Sequence, residues 1–262
     1  EMKASDAVAA LLDSNRRADS SITIPEGTRA SEIYQKVADV LGVPVADVQA
    51  AAHDYAAFGL DGPPNVNPDA IDPMEGWFFP ATYVALPGDT PATVLKQMYD
   101  KMISTLDSIG VAPENRLDVI TVASIAQKEV QLDDEYGMVA RVIANRLAPG
   151  NNHQSEIGMD STISYAMNLP ASEIDHSIDH PYNTRTRTGL PPSPILSPGL
   201  PALQGAASPP EGDWQFFVAP DLCAKVTEFT TNYPDHLVLQ ERYREWEKLY
   251  IAGGKVCPIP AG

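Results

Sequence analysis

Apolar residues recur at helical spacing over several stretches of the chain and alternate with polar residues over a few short ones. The first pattern predicts amphipathic helices and the second predicts half-buried strands. Predicted helices cover residues 5–12, 28–41, 44–53, 91–109, 114–130, 133–147, 161–167 and 233–250. Predicted strands cover residues 21–24, 214–219 and 225–230, with an extended aromatic segment at 75–83. We therefore predict an α+β protein that is rich in helices and has a few strands.

The order of the first elements suggests two parts of unequal size. A strand, a turn and two helices come first and predict a small α+β module, followed at 59–73 by a loop rich in Gly, Pro, Asn and Asp. We place the boundary near residue 85, which gives a small module at 1–85 and a larger mixed domain at 86–262. Residues 180–201 contain too many prolines for a regular helix or a central strand and predict a loop, ordered or mobile.

The chain is strongly acidic, with a formal net charge of −17 over 262 residues. Such a surface repels nucleic-acid phosphates and an anionic membrane leaflet, so neither is an expected partner. A neutral glycan remains compatible with it. No apolar run reaches the length of a membrane span, and no export signal opens the sequence. The abrupt start at Glu1 agrees with an N-terminal anchor further upstream.

Cysteine and histidine spacing gives no sign of a metal site. Neither Cys223 nor Cys257 belongs to a CxxC pair or lies beside a histidine cluster. In an exported protein the two would form one disulfide that ties down the C-terminal tail, and in the cytosol they would be two unrelated thiols. No histidine shows HExxH or other ligand spacing, and surface or structural roles are expected. The histidines are His53, His153, His176, His180 and His236.

Glu129 ends one predicted helix on its apolar side. Val119, Val122, Ala126 and Glu129 fall at i, i+3, i+7 and i+10, so the carboxyl group shares the stripe that faces the core. Apolar neighbours disfavour the charged form and raise the pKa, which lets the group donate a proton near neutral pH. Cleavage of a glycosidic bond needs such a donor. The alternative is a helix-end carboxylate that reaches solvent, a placement that the helix dipole disfavours.

Six segments are similar, in the same order, to signature segments of the YceG-like (MltG) endolytic murein transglycosylase family. They are 24–27 (IPEG), 75–83 (EGWFFPATY), 123–129 (ASIAQKE), 142–147 (VIANRL), 159–165 (MDSTISY) and 182–199, which contains YNT, GLPPSPI and PG. Each segment alone is weakly specific, but the ordered set covers nearly the whole chain. The chain therefore resembles this family.

The resemblance implies an enzyme held at the extracytoplasmic face of the plasma membrane by an N-terminal anchor. It implies a LysM-like module followed by a catalytic domain, with peptidoglycan glycan strands as substrate and peptidoglycan synthases as further partners. The implied reaction is non-hydrolytic cleavage between N-acetylmuramic acid and N-acetylglucosamine, which leaves a 1,6-anhydro end. In it, Glu129 first protonates the bridging oxygen and then removes the proton of the C6 hydroxyl. No metal or cofactor is implied.

The resemblance also predicts which side chains surround the substrate. The predicted substrate-binding residues are Gln127, Asn145, Arg146, Asp160, Thr162, Tyr182, Asn183, Thr184, Leu190 and Pro191. For Asp160, orienting a substrate hydroxyl or a site residue and capping the helix that begins near Ser161 are both open. For Arg146, sugar contact and a structural ion pair are both open. We expect the loop at 180–201 to line a cleft.

Three positions depart from the family pattern. Gln127 stands where the family often has Glu, which leaves Glu129 as the only carboxylate of its motif. Residues 157–159 replace a usual Leu-Gln pair, and residues 227–230 lack a usual histidine. These departures concern sugar contacts rather than the acid.

Two other functions stay open. One is a hydrolytic muramidase with Asp160 as the partner carboxylate, and the other is a non-catalytic peptidoglycan-binding scaffold. The first would release reducing ends and the second would release no fragments. The absence of a Gly-rich phosphate loop and of a GxSxG elbow argues against nucleotide and serine hydrolase chemistry. Residues 77–79 are expected in the core rather than on a binding platform.

Overall fold

The computed structural model describes residues 20–151, 153–254 and 256–257, and the predicted helix at 5–12 lies outside them. The α-helices are α1 (Ala30–Leu41), α2 (Val45–Ala52), α3 (Pro91–Ser108), α4 (Arg116–Glu129), α5 (Tyr136–Leu147), α6 (Asp160–Met167), α7 (Leu200–Ala207) and α8 (Tyr233–Glu247). The strands are β1 (Ser20–Thr23), β2 (Thr82–Ala85), β3 (Phe216–Val218) and β4 (Glu228–Thr230). Short 3-10 turns cover Tyr55–Phe58, Pro113–Asn115, Asp133–Glu135 and Ala171–Glu173, and a π-helical turn covers Lys248–Ala252. The predicted α+β class is confirmed.

β1 and β2 lie at the start and the end of the first part of the chain and form an antiparallel pair, with Ile22 opposite Tyr83. Ile22, Tyr83 and Ala85 point inward and are buried, as alternation along a strand requires. α1 packs on β1 and on α2. One hydrophobic core continues from these elements into the helices that follow. The boundary near residue 85 and the LysM-like character of the first part remain predictions.

α4, α5 and α7 pack against one another, and α4 and α5 contribute Glu129 and Arg146 to the candidate site. α5 and α7 approach closely because two glycines meet, since a Cβ on Gly205 would lie 2.7 Å from the amide nitrogen of Gly137. α7 was not predicted, because its first residues belong to the proline-rich stretch. Pro201 is compatible with the helix because it lies in the first turn, where no intrahelical N–H bond is lost.

The proline-rich segment is an ordered part of the interior. Residues 191–199 are all buried and form neither helix nor strand. The amide of Ile195 donates to Ser124 Oγ on α4 at 3.1 Å. The amide of Ser197 donates to the carbonyl oxygen of Thr28 at 2.9 Å. The loop predicted over 180–201 is therefore confirmed as far as residue 199, and its hydrogen bonds connect α4 to the turn before α1.

The segment 75–83 supplies core residues, as predicted: Trp77 and Phe78 are buried and Phe79 packs against the core. Gly76 within it has φ +83°, a left-handed conformation that favours glycine. A Cβ there would lie 2.6 Å from Cβ of Pro194 and 2.7 Å from Cγ2 of Ile120. The glycine therefore lets this segment lie directly on α4 and on the proline-rich segment.

Gly76→Ala is expected to lower the free energy of unfolding by about 2–3 kcal/mol, because both the overpacked Cβ and the positive φ are unfavourable. Urea denaturation of the variant beside Gly42→Ala measures it. Gly42 also has positive φ but an added Cβ meets nothing within 4 Å. Equal losses in the two variants would show that packing at Gly76 contributes nothing.

β3 and β4 pair antiparallel, with Phe217 opposite Phe229, and α8 packs across both strands. A disulfide joins Cys223, in the β3–β4 connection, to Cys257 beyond α8. The C-terminal tail is thus tied to the hairpin, as expected for an exported protein. None of the helices in the described ranges combines the length and apolar character of a membrane span.

Candidate active site

Glu129 is the last residue of α4 and opens into a cavity of about 570 Å³. The helix presents a buried run at Thr121 and Ala123–Ala126, whereas Val119 and Val122 are partly buried and pack against the core. The buried side of α4 therefore matches the predicted apolar stripe only approximately. Because the chain turns away after α4, the last side chain of the helix reaches the edge of the core.

The carboxyl group of Glu129 is held in a poorly hydrated position. Its Oε1 atom is shut off from solvent and has no hydrogen-bond partner within the described ranges, although the residue is only half-buried. Burial raises the pKa of Glu129, and the negative charge of Asp160 raises it further. The hydroxyl and amide of Ser161, and the positive charge of Arg146, oppose part of this rise. The direction agrees with the prediction, and the group can carry a proton into the cavity.

Asp160 lies at the start of α6 and lines the same cavity. Its Oδ2 accepts from Nη2 of Arg185 at 2.9 Å, and its Oδ1 lies 3.4 Å from Nδ1 of His176. It is the first residue of the helix rather than its N-cap, which is Met159. Arg185 also lines the cavity, and its pKa is raised mainly by the hydrogen bonds to Asp160. The pair forms a charged rim beside Glu129.

Arg146 projects from α5 into the cavity and is nearly buried. Its Nε donates to the carbonyl oxygen of Gln215 at 2.7 Å, and its Nη1 donates to that of Ile157. The guanidinium lies 5.6 Å from the ring centroid of Phe216. Burial lowers its pKa to about 10, and the charge of Arg185 contributes to the lowering. Arg146 therefore stays cationic near neutral pH and holds two backbone segments around the cavity.

The predicted Tyr-Asn-Thr segment lies behind the cavity rather than in its lining. Thr184 Oγ1 accepts from the amide of Met159 at 2.9 Å, and Thr162 Oγ1 donates to the carbonyl oxygen of Tyr182 at 2.7 Å. The side-chain amide of Asn183 donates to two carbonyl oxygens just upstream. These buried bonds fix the start of α6 and hence the neighbours of Glu129.

The remaining predicted substrate-binding residues also lie away from the cavity lining. Gln127 donates to Glu26 Oε2 at 2.7 Å and accepts from the amide of Gly199 at 2.8 Å. Asn145 donates to the carbonyl oxygen of Trp214 at 2.8 Å. Residues 190 and 191 belong to the proline-rich segment, where Pro191 is buried. Of the predicted substrate-binding set, Arg146 and Asp160 line the cavity, and glycan contact by the others remains a prediction.

Most of the cavity lining was not predicted. This part is formed by residues of β3, of α8 and of the segment 153–159. Its members are His153, Gln154, Glu156, Gly158, Met159, Phe216, Phe217, Val218, Tyr233, His236 and Gln240. His153 and His236, for which surface or structural roles were expected, therefore belong to the cavity. Burial lowers the pKa of both imidazoles, with a smaller effect from Arg146, so they are neutral at neutral pH.

The cavity combines a carboxyl group whose pKa is raised by burial, a charged rim and several aromatic side chains. Within the described ranges, no group of three His, Cys, Asp or Glu side chains is arranged to hold a metal ion. A volume of about 570 Å³ accommodates a small organic ligand or part of a polymer. The arrangement suits acid–base chemistry on a substrate that has both hydroxyl groups and apolar faces.

Two named relatives match most of this chain. It is 28% identical over 241 residues to an endolytic murein transglycosylase from Bacillus subtilis, covering 85% of this chain and 64% of that one. It is 28% identical over 247 residues to one from Streptococcus pneumoniae, covering 82% and 43%. The chain thus spans less than two thirds of the length of either relative.

The fold has a counterpart among solved structures, and the sequence matches a family. A crystal structure of a YceG-like protein from Listeria monocytogenes has a TM-score of 0.70 and 23% identity to this chain, covering 91% of this chain and 81% of that one. At this identity the likeness establishes the shared fold. The sequence pattern of the YceG-like family matches residues 1–242. Since that match covers most of the chain, the protein belongs to the YceG-like family.

Proposed function

We propose that the protein is an endolytic lytic transglycosylase of peptidoglycan with Glu129 as acid and base. The observation that carries the proposal is the position of Glu129: its carboxyl group opens into a cavity, burial raises its pKa, and Oε1 has no partner within the described part of the chain. The names of the two relatives support the same substrate and reaction class.

The reaction uses one carboxyl group twice. Glu129 donates its proton to the oxygen that bridges C1 of N-acetylmuramic acid and C4 of the next N-acetylglucosamine, and the C1–O bond breaks. The resulting carboxylate then accepts the proton of the muramoyl C6 hydroxyl while the C6 oxygen bonds to C1. Glu129 ends the cycle protonated, and no water is consumed. The product is a 1,6-anhydro end.

The surroundings of Glu129 suit this double role. Between the two proton transfers the carboxylate must exist briefly beside the positive charge that develops at C1. Arg146 and Ser161 stabilise that charged form, whereas burial returns the group to the neutral form. Asp160 forms an ion pair with Arg185 at the rim of the cavity. We therefore assign no activation of water to Asp160.

The setting of the enzyme follows from the same proposal. A LysM-like module at 1–85, a catalytic domain at 86–262 and an anchor upstream would place the active site next to the cell wall, where synthases work. The disulfide between Cys223 and Cys257 supports an extracytoplasmic location, because such bonds persist in oxidising compartments.

Mass spectrometry of digested peptidoglycan tests the reaction. Purified sacculi are incubated with the protein, and the released fragments are compared with those of a hydrolytic muramidase control. We expect muramoyl ends that are lighter than reducing ends by one water. Reducing ends alone would establish the hydrolytic alternative, and binding without release would establish the scaffold.

A further inference from the structure

Three aromatic side chains separate the Glu129 cavity from a second cavity. The second one has about 520 Å³ and is lined by residues 150, 151, 153, 215, 216 and 231–233. His153, Phe216 and Tyr233 line both cavities, and we call these three the aromatic ridge. Ring centroids lie 5.2 Å apart between His153 and Phe216 and 5.7 Å apart between Phe216 and Tyr233. A chain-like ligand that fills both cavities must cross this ridge.

Tyr233 offers the most accessible ring of the ridge. Phe216 is half-buried, His236 stacks on it at 5.2 Å with an interplanar angle of 24°, and Arg146 lies over its ring. Tyr233 is 55% exposed, and its ring is tilted by 52° against Phe216. Aromatic faces bind the apolar faces of sugar rings, and the hydroxyl group of a tyrosine can form hydrogen bonds on the side that faces solvent.

The backbone under Tyr233 is fixed. Tyr233 is the first residue of α8, and the side chain of the cap residue Asn232 accepts from the amide of Asp235 at 3.0 Å. Pro234 follows in the first turn, where its φ is already helical. The ring is therefore presented by a rigid helix start rather than by a loop.

We infer that the aromatic ridge is a sugar-binding subsite in which Tyr233 stacks on a ring of the glycan strand outside the scissile linkage, with the strand continuing into the second cavity. The inference rests on the proposed function, since it adds a subsite to the same site. It assigns to Tyr233 a role in selecting long strands over short oligosaccharides. That role suits an enzyme that cuts within strands.

Binding in an inactive background tests the ridge apart from catalysis. Glycan strands freed of peptides and a short muramoyl oligosaccharide are titrated calorimetrically into Glu129→Gln and into Glu129→Gln with Tyr233→Ala. We expect Tyr233→Ala to weaken binding of the long strands by at least about tenfold and of the short oligosaccharide by less than about twofold. Tyr233→Phe should bind long strands as Glu129→Gln alone does, because the ring is retained.

The controls separate the possible failures. Tyr243→Ala removes a tyrosine from the same helix that lines neither cavity and should leave binding unchanged. Tyr233→Leu keeps apolar bulk without an aromatic face and should resemble Tyr233→Ala, which guards against a folding defect. If Tyr233→Ala leaves the affinity for long strands unchanged, or weakens binding equally for both lengths, the aromatic ridge is not the inferred subsite. Cleavage by Glu129→Gln at the wild-type rate would overturn the proposed function instead.

Discussion

Glu129→Gln is expected to reduce peptidoglycan cleavage by about a hundredfold to ten-thousandfold, because an amide can neither donate the proton nor accept one later. The shape of the side chain is kept, and a poorly hydrated carboxyl group is removed. The melting temperature of the variant should therefore equal or exceed that of the wild type. Release of soluble muropeptides from sacculi, followed over time, measures the rate.

Glu156→Gln is the matched control for this prediction. Glu156 lines the same cavity but is not placed at the end of α4. The same amide substitution should change the rate little if the chemistry depends on one particular carboxyl group rather than on the negative charge of the cavity. Comparable losses in both variants would contradict the assignment to Glu129.

The pH dependence of the wild-type rate provides a second measurement. Burial raises the pKa of Glu129, so the proton-bearing form persists to a higher pH than for an exposed glutamate. The rate should fall as pH rises through that raised pKa, because the acid is then lost before the first step. An alkaline limb that starts at the pKa of an ordinary exposed glutamate would show that the carboxyl group is hydrated in the working enzyme.

Local sequence patterns predicted much of what lies within single elements. The spacing along α4 placed Glu129 on the side of the helix that faces the core, and the prolines of 180–201 identified a segment that has neither helix nor strand as far as residue 199. Both properties depend on neighbours a few residues away. They can be read without knowing how the chain folds back on itself.

Those local patterns could not predict contacts between distant parts of the chain. Gln127 bonds with Glu26, and Arg146 bonds with the backbone of Gln215, in each case across a long stretch of sequence. Polar residues in motif-like segments were assigned to the substrate, yet most of them bond to backbone groups that hold the site together. The aromatic ridge includes residues from β3 and α8, which carry no recognisable motif.

Glu75 is a buried carboxyl group outside the Glu129 cavity, and its removal should have a large effect on stability. It is 2% exposed, and it accepts from the amide of Ala30 at 2.9 Å and from the hydroxyl of Tyr165 at 2.9 Å. Ala30 begins α1, and Tyr165 lies on α6 near the candidate site. Glu75 therefore connects the first part of the chain to the helix that neighbours Glu129.

Glu75→Ala is expected to lower the free energy of unfolding by about 3–5 kcal/mol, because it opens a cavity and leaves two buried donors without a partner. Urea denaturation at pH 6 measures the loss. Glu114→Ala, which truncates an exposed glutamate, should change stability by less than about 0.5 kcal/mol. A loss of similar size in both variants would show that Glu75 does not connect the two parts.

Glu75→Gln tests the effect of the charge at this position separately from the effect of packing, because the amide side chain has nearly the same shape. Burial raises the pKa of Glu75 from 4.5 to about 7, although the hydrogen bonds from Ala30 and Tyr165 oppose the rise. Between these two values the folded protein binds more protons than the unfolded chain, so its stability falls as pH increases. The difference corresponds to about 3 kcal/mol, which the amide variant should not lose. Part of this loss lies below pH 5, so denaturation at pH 5 and pH 8 should show Glu75→Gln gaining about 2.5 kcal/mol on the wild type. A gap that is the same at both pH values would mean that this carboxyl group is not desolvated.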